Sequence, residues 1–549
     1  MSYEPEVDYK AERIADVSAV VDSKQSKKVV VAGPGTGKSY LFEQVIKQKQ
    51  SEGKSDFLAI TFIGKLGDSL ADDLAGLAET HTLHGFARSF FLSNNTADWV
   101  YCPYITKIIT EDLKLSGIDS FSIGDDNYKA RTIHYKAVGH DDIVHYAVQI
   151  CKKHPEKITV HDLILIDEFQ DFNEIEAEFI DILATKNEVL IVGDDDQALY
   201  EFKGSSPKFI RDKFHEDNQD FESHTLRFCS RCPEVVINAF HGIATGYGLN
   251  EDGIERIKKD YICYLPDKEK DSRANPKICI LEGVPTGMIA FKIRSQLESI
   301  LETQKIKSVL IIGEGQSCGA ILYAIAKKLR SEGFKNVDHS HTQMKPFEIE
   351  QSIVDSYHWL VKNTKSTLGW RILCAVRNEF DWQTLLKDNF TDADKFIESI
   401  PANFRSEHEA NAKVLQKITH DSPSKIKAIA DSSIEKVMGV VVKSKKTERE
   451  LLINQLVLDN ANLARPLSNL DITVCSILGS KGLGADVVFL VGFDEGKLPS
   501  KKQAQDSEVY QMLVALTRTK KRIYLINTVG AKISSFAGSI DKSLIQKIS

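Results

Sequence analysis

The 549-residue chain is 42% hydrophobic and 27% charged, with a formal net charge of −8; this is the profile of a soluble globular protein of about three or four domains. Nine scattered cysteines exclude a secreted disulfide scaffold and point to a reduced, intracellular (cytoplasmic) setting. The first ten residues do not read as a signal peptide, and no apolar run approaches the ~18 residues of a membrane span.

An acidic chain is a poor candidate for binding DNA over a broad face, so any nucleic-acid site has to be a local groove that adds stacking to charge. The single CxxC, Cys229 and Cys232, has no second pair at zinc-ligand spacing and makes a weak metal candidate.

In chain order, β-branched runs predict strands buried on both faces, as in a parallel sheet covered by helices. The first, 28–31, leads into Ala32-Gly33-Pro34-Gly35-Thr36-Gly37-Lys38-Ser39, and a helix pattern follows. This is a Walker A loop: its glycines let backbone N–H groups wrap phosphates at a helix N-terminus. Lys38 is predicted to reach the β- and γ-phosphates and the Ser39 hydroxyl to ligate Mg²⁺. The next runs are 57–60 and 163–166, the latter closed by Asp167 and Glu168. Asp167 is predicted to hold Mg²⁺ through water, and Glu168 to orient or deprotonate the attacking water. A run at 189–192 completes the first set. A second set follows at 309–312, 472–474 and 487–491, with a crossover helix over 317–333. The stretches 91–160 and 376–468, richer in polar and helical patterns, read as insertions.

Asp167-Glu168-Phe169-Gln170-Asp171 is more specific than a Walker B strand, and here the chain resembles the UvrD/Rep-type superfamily 1A helicases. The segments 193–204 (motif III), 230–233 (motif IV), 481–483 (motif V) and 514–518 (motif VI) follow in the family order. The resemblance implies an α/β fold of two recA-like P-loop NTPase domains with mostly helical insertions, the 1A/1B/2A/2B arrangement. Domain 1A would take residues 1–90 and 161–270, including motif IV, and 1B would take 91–160. Domain 2A would take 271–375 and 469–549, and a reduced 2B-like insertion 376–468. It further implies 3′→5′ translocation on single-stranded DNA, powered by Mg-ATP. Gln197 would sense the γ-phosphate, and Arg231 and Arg518 would serve as arginine fingers once the two domains close. Gly482 of motif V would lie at the nucleotide. Phe62 and Lys65 resemble motif Ia; Thr82 and His84 match the next motif. With Tyr200, Phe202 and Lys203 of motif III, they would face the DNA strand. On their own, Phe62 and Phe202 suit a core as well as a groove.

Three departures fall on one part of the site. The family's adenine-reading glutamine is missing from residues 11–17, Ser230 stands where an aromatic precedes the motif IV arginine, and Gly484 replaces a ribose-contacting glutamate. The phosphate chemistry is kept while the base- and sugar-reading groups are thinned, which predicts relaxed nucleotide selectivity unless residues such as Tyr40 supply the stacking. The short second insertion predicts weak unwinding by the chain alone. It also fits a different class of function, an ATPase component regulating a partner nuclease in a repair or phage-defence complex.

Overall fold

The computed structural model describes residues 8–62, 70–94, 99–215, 218, 220–249, 255–331, 334, 336–339, 356–357, 359–416, 470–501 and 504–548. The chain divides into two compact units, one of Met1–Phe86, Cys151–His341 and Leu463–Ser549, the other of Ala87–Ile150 and Thr342–Asn462.

The first unit holds two parallel sheets. Strands β1 (Lys27–Ala32), β2 (Phe57–Thr61) and β3 (Glu79–Thr82) precede the first insertion, which contributes short strands β4 (Val100–Tyr101) and β5 (Ala137–Val138) to the other unit. After it come β6 (Leu163–Ile166), β7 (Val189–Gly193) and β8 (Glu222–Leu226), giving a six-stranded sheet in the order β3-β2-β6-β7-β1-β8. The short pair β9 (Phe228–Cys229) and β10 (Ile262–Cys263) leads into the second sheet. That sheet comprises β11 (Ile278–Val284), β12 (Ser308–Gly313), β13 (Asn336–His339), β14 (Asp471–Ser476), β15 (Ala485–Val491), β16 (Thr519–Thr528) and β17 (Ile545–Ile548), ordered β13-β14-β12-β15-β16-β11-β17.

All seven predicted runs are strands, and their apolar residues are buried. The edge strands β3, β8, β13 and β17 escape the pattern because each is partly solvent-facing and rich in polar residues, as in Glu79-Thr80-His81-Thr82; the interior strands β11 and β16 also lie outside the predicted runs. The predicted crossover helix runs over Gly315–Ser331, two residues early, because the Glu314 carboxylate accepts from the N–H groups of Gln316 and Ser317 and starts it there.

Domain boundaries differ from expectation in two places. The helix Glu234–Tyr247 that follows Arg231 shares a core with the second sheet, Val235, Phe240 and Ile243 packing with Val488, Leu513 and Leu525. The helix after motif IV thus packs with the second sheet, while Cys229 and Ser230 at the motif itself bond to the glycine loop of the first. The second insertion also begins earlier than residue 376, so the helix Thr367–Arg377 belongs to the helical unit. Residues 417–468 of that insertion lie outside the described residues.

In the helical unit the two insertions share one core, where Ile105, Ile109 and Tyr128 of the first meet Leu368 and Ile372 of the second. At its centre the buried Asp112 carboxylate accepts from Arg131 and from Arg371, both at 2.8 Å, and from the Tyr135 hydroxyl. One guanidinium comes from each insertion, so the carboxylate ties the two segments together.

Two imidazoles, the buried His408 and the half-buried His134, should make this unit sensitive to acid. Burial, reinforced by Arg131, pushes His134 down to about 3. Burial also pushes His408, hydrogen-bonded to the Tyr357 hydroxyl at 2.5 Å, down to about 4. Both are neutral in the fold, whereas the unfolded chain takes up protons below about 6.5. Their stabilisation is therefore complete above that pH and is lost progressively as pH falls toward 4. Asp142, pushed up to about 6 by burial, acts in the opposite sense below that pH, leaving a net slope of ~1 kcal/mol per pH unit. Lowering the pH from about 7 to about 5 should reduce the helical unit's melting temperature by several degrees. A His134→Gln/His408→Gln double variant should flatten that dependence, and an unchanged slope in the variant would refute the assignment.

Candidate nucleotide and nucleic-acid site

In parallel sheets, ligands are bound at the carboxyl ends of the strands. Here three adjacent strands, β6, β7 and β1, end at the residues the motifs single out: Asp167 after β6, Asp194 after β7 and the glycine loop after β1.

The loop from Gly33 to Gly37 turns directly into the helix Lys38–Ser51. Gly35 and Gly37 have φ of +73° and +96°, a region that L side chains rarely adopt, and a side chain at Gly35 would also run into Arg231 Cβ. The Thr36 N–H and hydroxyl both donate to the Gly33 carbonyl. The Pro34 carbonyl accepts from the Cys229 thiol at 3.0 Å and from the Tyr261 hydroxyl, and the Ser230 N–H donates to the Gly35 carbonyl at 2.9 Å. The loop is thus backed by the segment that carries Arg231. Ala32 is buried, Ser39 is half-buried on the first turn of the helix, and Tyr40 is 52% exposed.

Lys38 donates to Glu168 at 2.6 Å and lies 3.8 Å from Asp167. Glu168 has φ +54°, a costly conformation for a non-glycine residue. Its second oxygen accepts from Gln170 Nε2 at 2.6 Å and lies 3.8 Å from the Lys481 ammonium. Against the cost of burial, Lys38 and then Lys481 hold Glu168 well below the usual carboxylate range, whereas burial outweighs Lys38 at Asp167 and pushes it up to about 6.

The second sheet reaches the same place. Arg518, just before β16, donates to Gln197 Oε1 at 2.8 Å, while Gln197 Nε2 donates to Asp194 at 2.6 Å. Burial, and after it the proximity of Arg231, lowers Arg518 to about 10. Lys481, just after β14, donates to Asp171 and, at 3.0 Å, to the Gln197 carbonyl. Gly482 is exposed with φ +81°. Gly484 lies against Arg231, whose Nε would be 3.6 Å from a Cβ there, so the missing glutamate leaves room for the guanidinium.

The residues expected at a nucleic-acid strand form a graded aromatic series. Phe62 packs 5.9 Å from Phe172 and 4.9 Å from Tyr200, and Tyr200 lies 6.0 Å from Phe202. Phe62 is half-buried and Tyr200 is in the core, but Phe202 is 71% exposed. The Lys203 ammonium sits 5.8 Å over the Tyr200 ring. Thr82 and His84 are engaged within the fold: the Thr82 hydroxyl accepts from the Gly85 N–H at 3.0 Å, and His84 lies 3.5 Å from Glu176. Lys65 lies outside the described residues.

A model of the UvrD-like helicase C-terminal domain matches residues 158–530, and one of an AAA domain matches residues 17–203. The chain belongs to the UvrD-like helicase family. A probable DNA helicase II homolog of Mycoplasma genitalium is 24% identical over 416 residues, 69% of this chain and 57% of that protein. The ATP-dependent DNA helicase Rep of Buchnera aphidicola is 22% identical over 66% of this chain and 62% of its own length. The exonuclease/helicase subunit RexA of Lactococcus lactis is 29% identical over 115 residues, 20% of this chain and 9% of that protein. The chain spans between about a third and two thirds of the length of the first three curated relatives it matches. Among the described residues, no helix is long and apolar enough to cross a membrane.

Within this UvrD-like helicase framework, several residues to which the motifs assign no role stand at the centre of the site. Gln170 links the Glu168 carboxylate to the Asp194 N–H, which donates to Gln170 Oε1 at 2.9 Å. Lys481 opens motif V, which gives it no function, and it joins Glu168, Asp171 and Gln197. The aspartates 194, 195 and 196 have side-chain oxygens within 4.8 Å of one another, as in a metal cluster. The Lys259 ammonium fills the position a cation would take, 2.6, 2.6 and 2.7 Å from the three carboxylates. Arg256 adds two 2.7 Å bonds to Asp196, and Arg211 one of 2.9 Å to Asp195. Lys481, Lys259 and Arg256 lie 310, 65 and 60 residues from Asp171, Asp194 and Asp196, and no local pattern marks such pairs.

Proposed function

We propose that the chain is an ATP-hydrolysing motor that moves 3′→5′ along single-stranded DNA, with the two sheets as its motor domains 1A and 2A and the helical insertions as 1B and 2B. The observation that carries this reading is the Gln197–Arg518 hydrogen bond, which joins the loop after β7 in one sheet to the residue just before β16 in the other, within electrostatic reach of Glu168. A γ-phosphate held by Lys38 would meet Gln197 and Arg518 together, so hydrolysis and release would loosen the tie between the sheets. The Ser39 hydroxyl and the Asp167 carboxylate are hard oxygen donors that suit Mg²⁺, and Lys38, adjacent to Ser39, is already 3.8 Å from Asp167. The ion would supply charge neutralisation at the phosphates. Glu168 would take the role of water-orienting base, and Arg231 and Arg518 would stabilise charge on the transferring phosphoryl group.

On the nucleic-acid side, the Phe62–Tyr200–Phe202 series would carry base stacking, and Lys203 a phosphate contact. Tyr200 bridges the two functions, since the Lys481 ammonium that contacts Gln197 also lies 5.7 Å over its ring. Direction rests on the family resemblance. The similarity to an exonuclease/helicase component supports a nuclease-containing complex as its working context. The test is steady-state ATP hydrolysis with and without single-stranded DNA. DNA should stimulate turnover, and Phe202→Ala should raise the DNA concentration for half-maximal stimulation roughly tenfold, the worth of one stacked base. Turnover indifferent to DNA would overturn the motor reading. Faster displacement of a streptavidin block from 3′ than from 5′ ends would contradict a 3′→5′ direction.

A further inference from the structure

Three side chains from separate parts of the first unit gather at the mouth of the glycine loop. Arg13 lies on the helix Tyr9–Asp22, Tyr40 on the first turn of Lys38–Ser51, and Tyr264 just ahead of the helix Leu265–Ala274. The Arg13 guanidinium stacks 4.4 Å over the Tyr264 ring, with one terminal nitrogen 3.6 Å from Asp267. Its other terminal nitrogen lies 3.9 Å from where a Cβ on Gly37 would be, and the Tyr40 Cβ is 3.8 Å from that same point. Among the described residues Arg13 makes no hydrogen bond. Its plane is set by the ring and the carboxylate while the edge formed by Nε and the loop-side nitrogen is unused.

We propose that Arg13 reads the nucleobase and that this site accepts guanine at least as well as adenine. The inference rests on the nucleotide site proposed above. With the γ-phosphate end fixed by Lys38 beside the buried carboxylates, the nucleoside has to leave toward solvent, where Tyr40 offers an exposed ring for stacking. A guanidinium only donates hydrogen bonds. Guanine presents two acceptors, O6 and N7, on one edge and satisfies a two-pronged donor. Adenine presents N7 beside its own N6 amino donor, which faces the guanidinium with an unfavourable donor–donor contact. Arg13 therefore discriminates in the direction opposite to a side-chain amide, which has both a donor and an acceptor to offer adenine.

The experiment compares kcat and KM for GTP and ATP in the full chain with saturating single-stranded DNA, for wild type, Arg13→Gln and Arg13→Lys. Wild type should show a GTP kcat/KM equal to or above that for ATP. Arg13→Gln should shift the ratio toward ATP by roughly tenfold, through KM more than kcat, because one two-pronged base contact is exchanged for another. Arg13→Lys keeps the charge facing Asp267 but loses the planar fork, and should lose the guanine preference too. A strong wild-type preference for ATP, or a ratio unmoved in both variants, overturns the proposal. Equilibrium binding of mant-GDP and mant-ADP reads the same ratio without turnover: absence of hydrolysis with either nucleotide would sink the motor reading, while the binding ratio still decides the role of Arg13.

Discussion

Glu168→Gln should lower DNA-stimulated ATP turnover about a hundredfold or more, the usual contribution of a positioned general base, while nucleotide affinity changes only a few-fold. The substitution keeps the size of the side chain, removes its charge and turns one of its two acceptor oxygens, which face Lys38 and Gln170, into a donor amide. Glu168 is shared by cations from both sheets, Lys38 at 2.6 Å and Lys481 at 3.8 Å, and its left-handed backbone holds it there at a conformational cost. When a nucleotide's phosphates draw Lys38 away, Lys481 remains as its cationic neighbour, so the carboxylate stays ionised and able to accept a proton from water. The fold should tolerate the change, because Lys38 keeps Asp167 and Lys481 keeps Asp171. Single-turnover hydrolysis measured alongside nucleotide binding is the check. Turnover within tenfold of wild type would remove Glu168 from the chemistry.

Lys259→Met should be the most destabilising single change outside the apolar core, costing ~3–5 kcal/mol. It would leave three fully buried aspartates with only Arg256 and Arg211 to balance them. The loss should be steep because burial already pushes Asp194 upward, while Asp196 is held at about 2, against burial, by Lys259 and Arg256. Thermal unfolding should report a fall of roughly 10 °C. Lys259→Arg should recover most of it, and Asp195→Asn added to Lys259→Met should recover part by removing one of the stranded charges. A Lys259→Met protein that melts within about 2 °C of wild type would falsify the account.

Sequence patterns are legible where the physics behind them is local. The glycine loop is legible because φ values of +73° and +96° demand glycine at two positions separated by one residue. Strands such as Leu163–Ile166 are legible because a sheet covered on both faces makes every position apolar. Tyr200 has the appearance of a surface ring because the resemblance assigns the aromatic residues of its motif to the DNA strand. In the fold Phe202 is the exposed ring of the series, Phe62 is half-buried, and Tyr200 is the buried link between them.

By itself the sequence determined the order of the Walker-type motif residues, the apolar strands that carry them and, through its motifs, the family. Each of these is written in a short contiguous stretch whose chemistry needs no distant partner. The tertiary structure alone decided which cation meets which carboxylate: Lys481 at Asp171, Lys259 among three aspartates, and Arg131 and Arg371 on either side of Asp112. It also decided that the two insertions form one helical unit and that the helix after Arg231 is packed on the second sheet. The physical reason is the same in each case. A buried charge imposes a strong demand for a partner but none on where in the chain that partner lies, so only the folded arrangement can supply it.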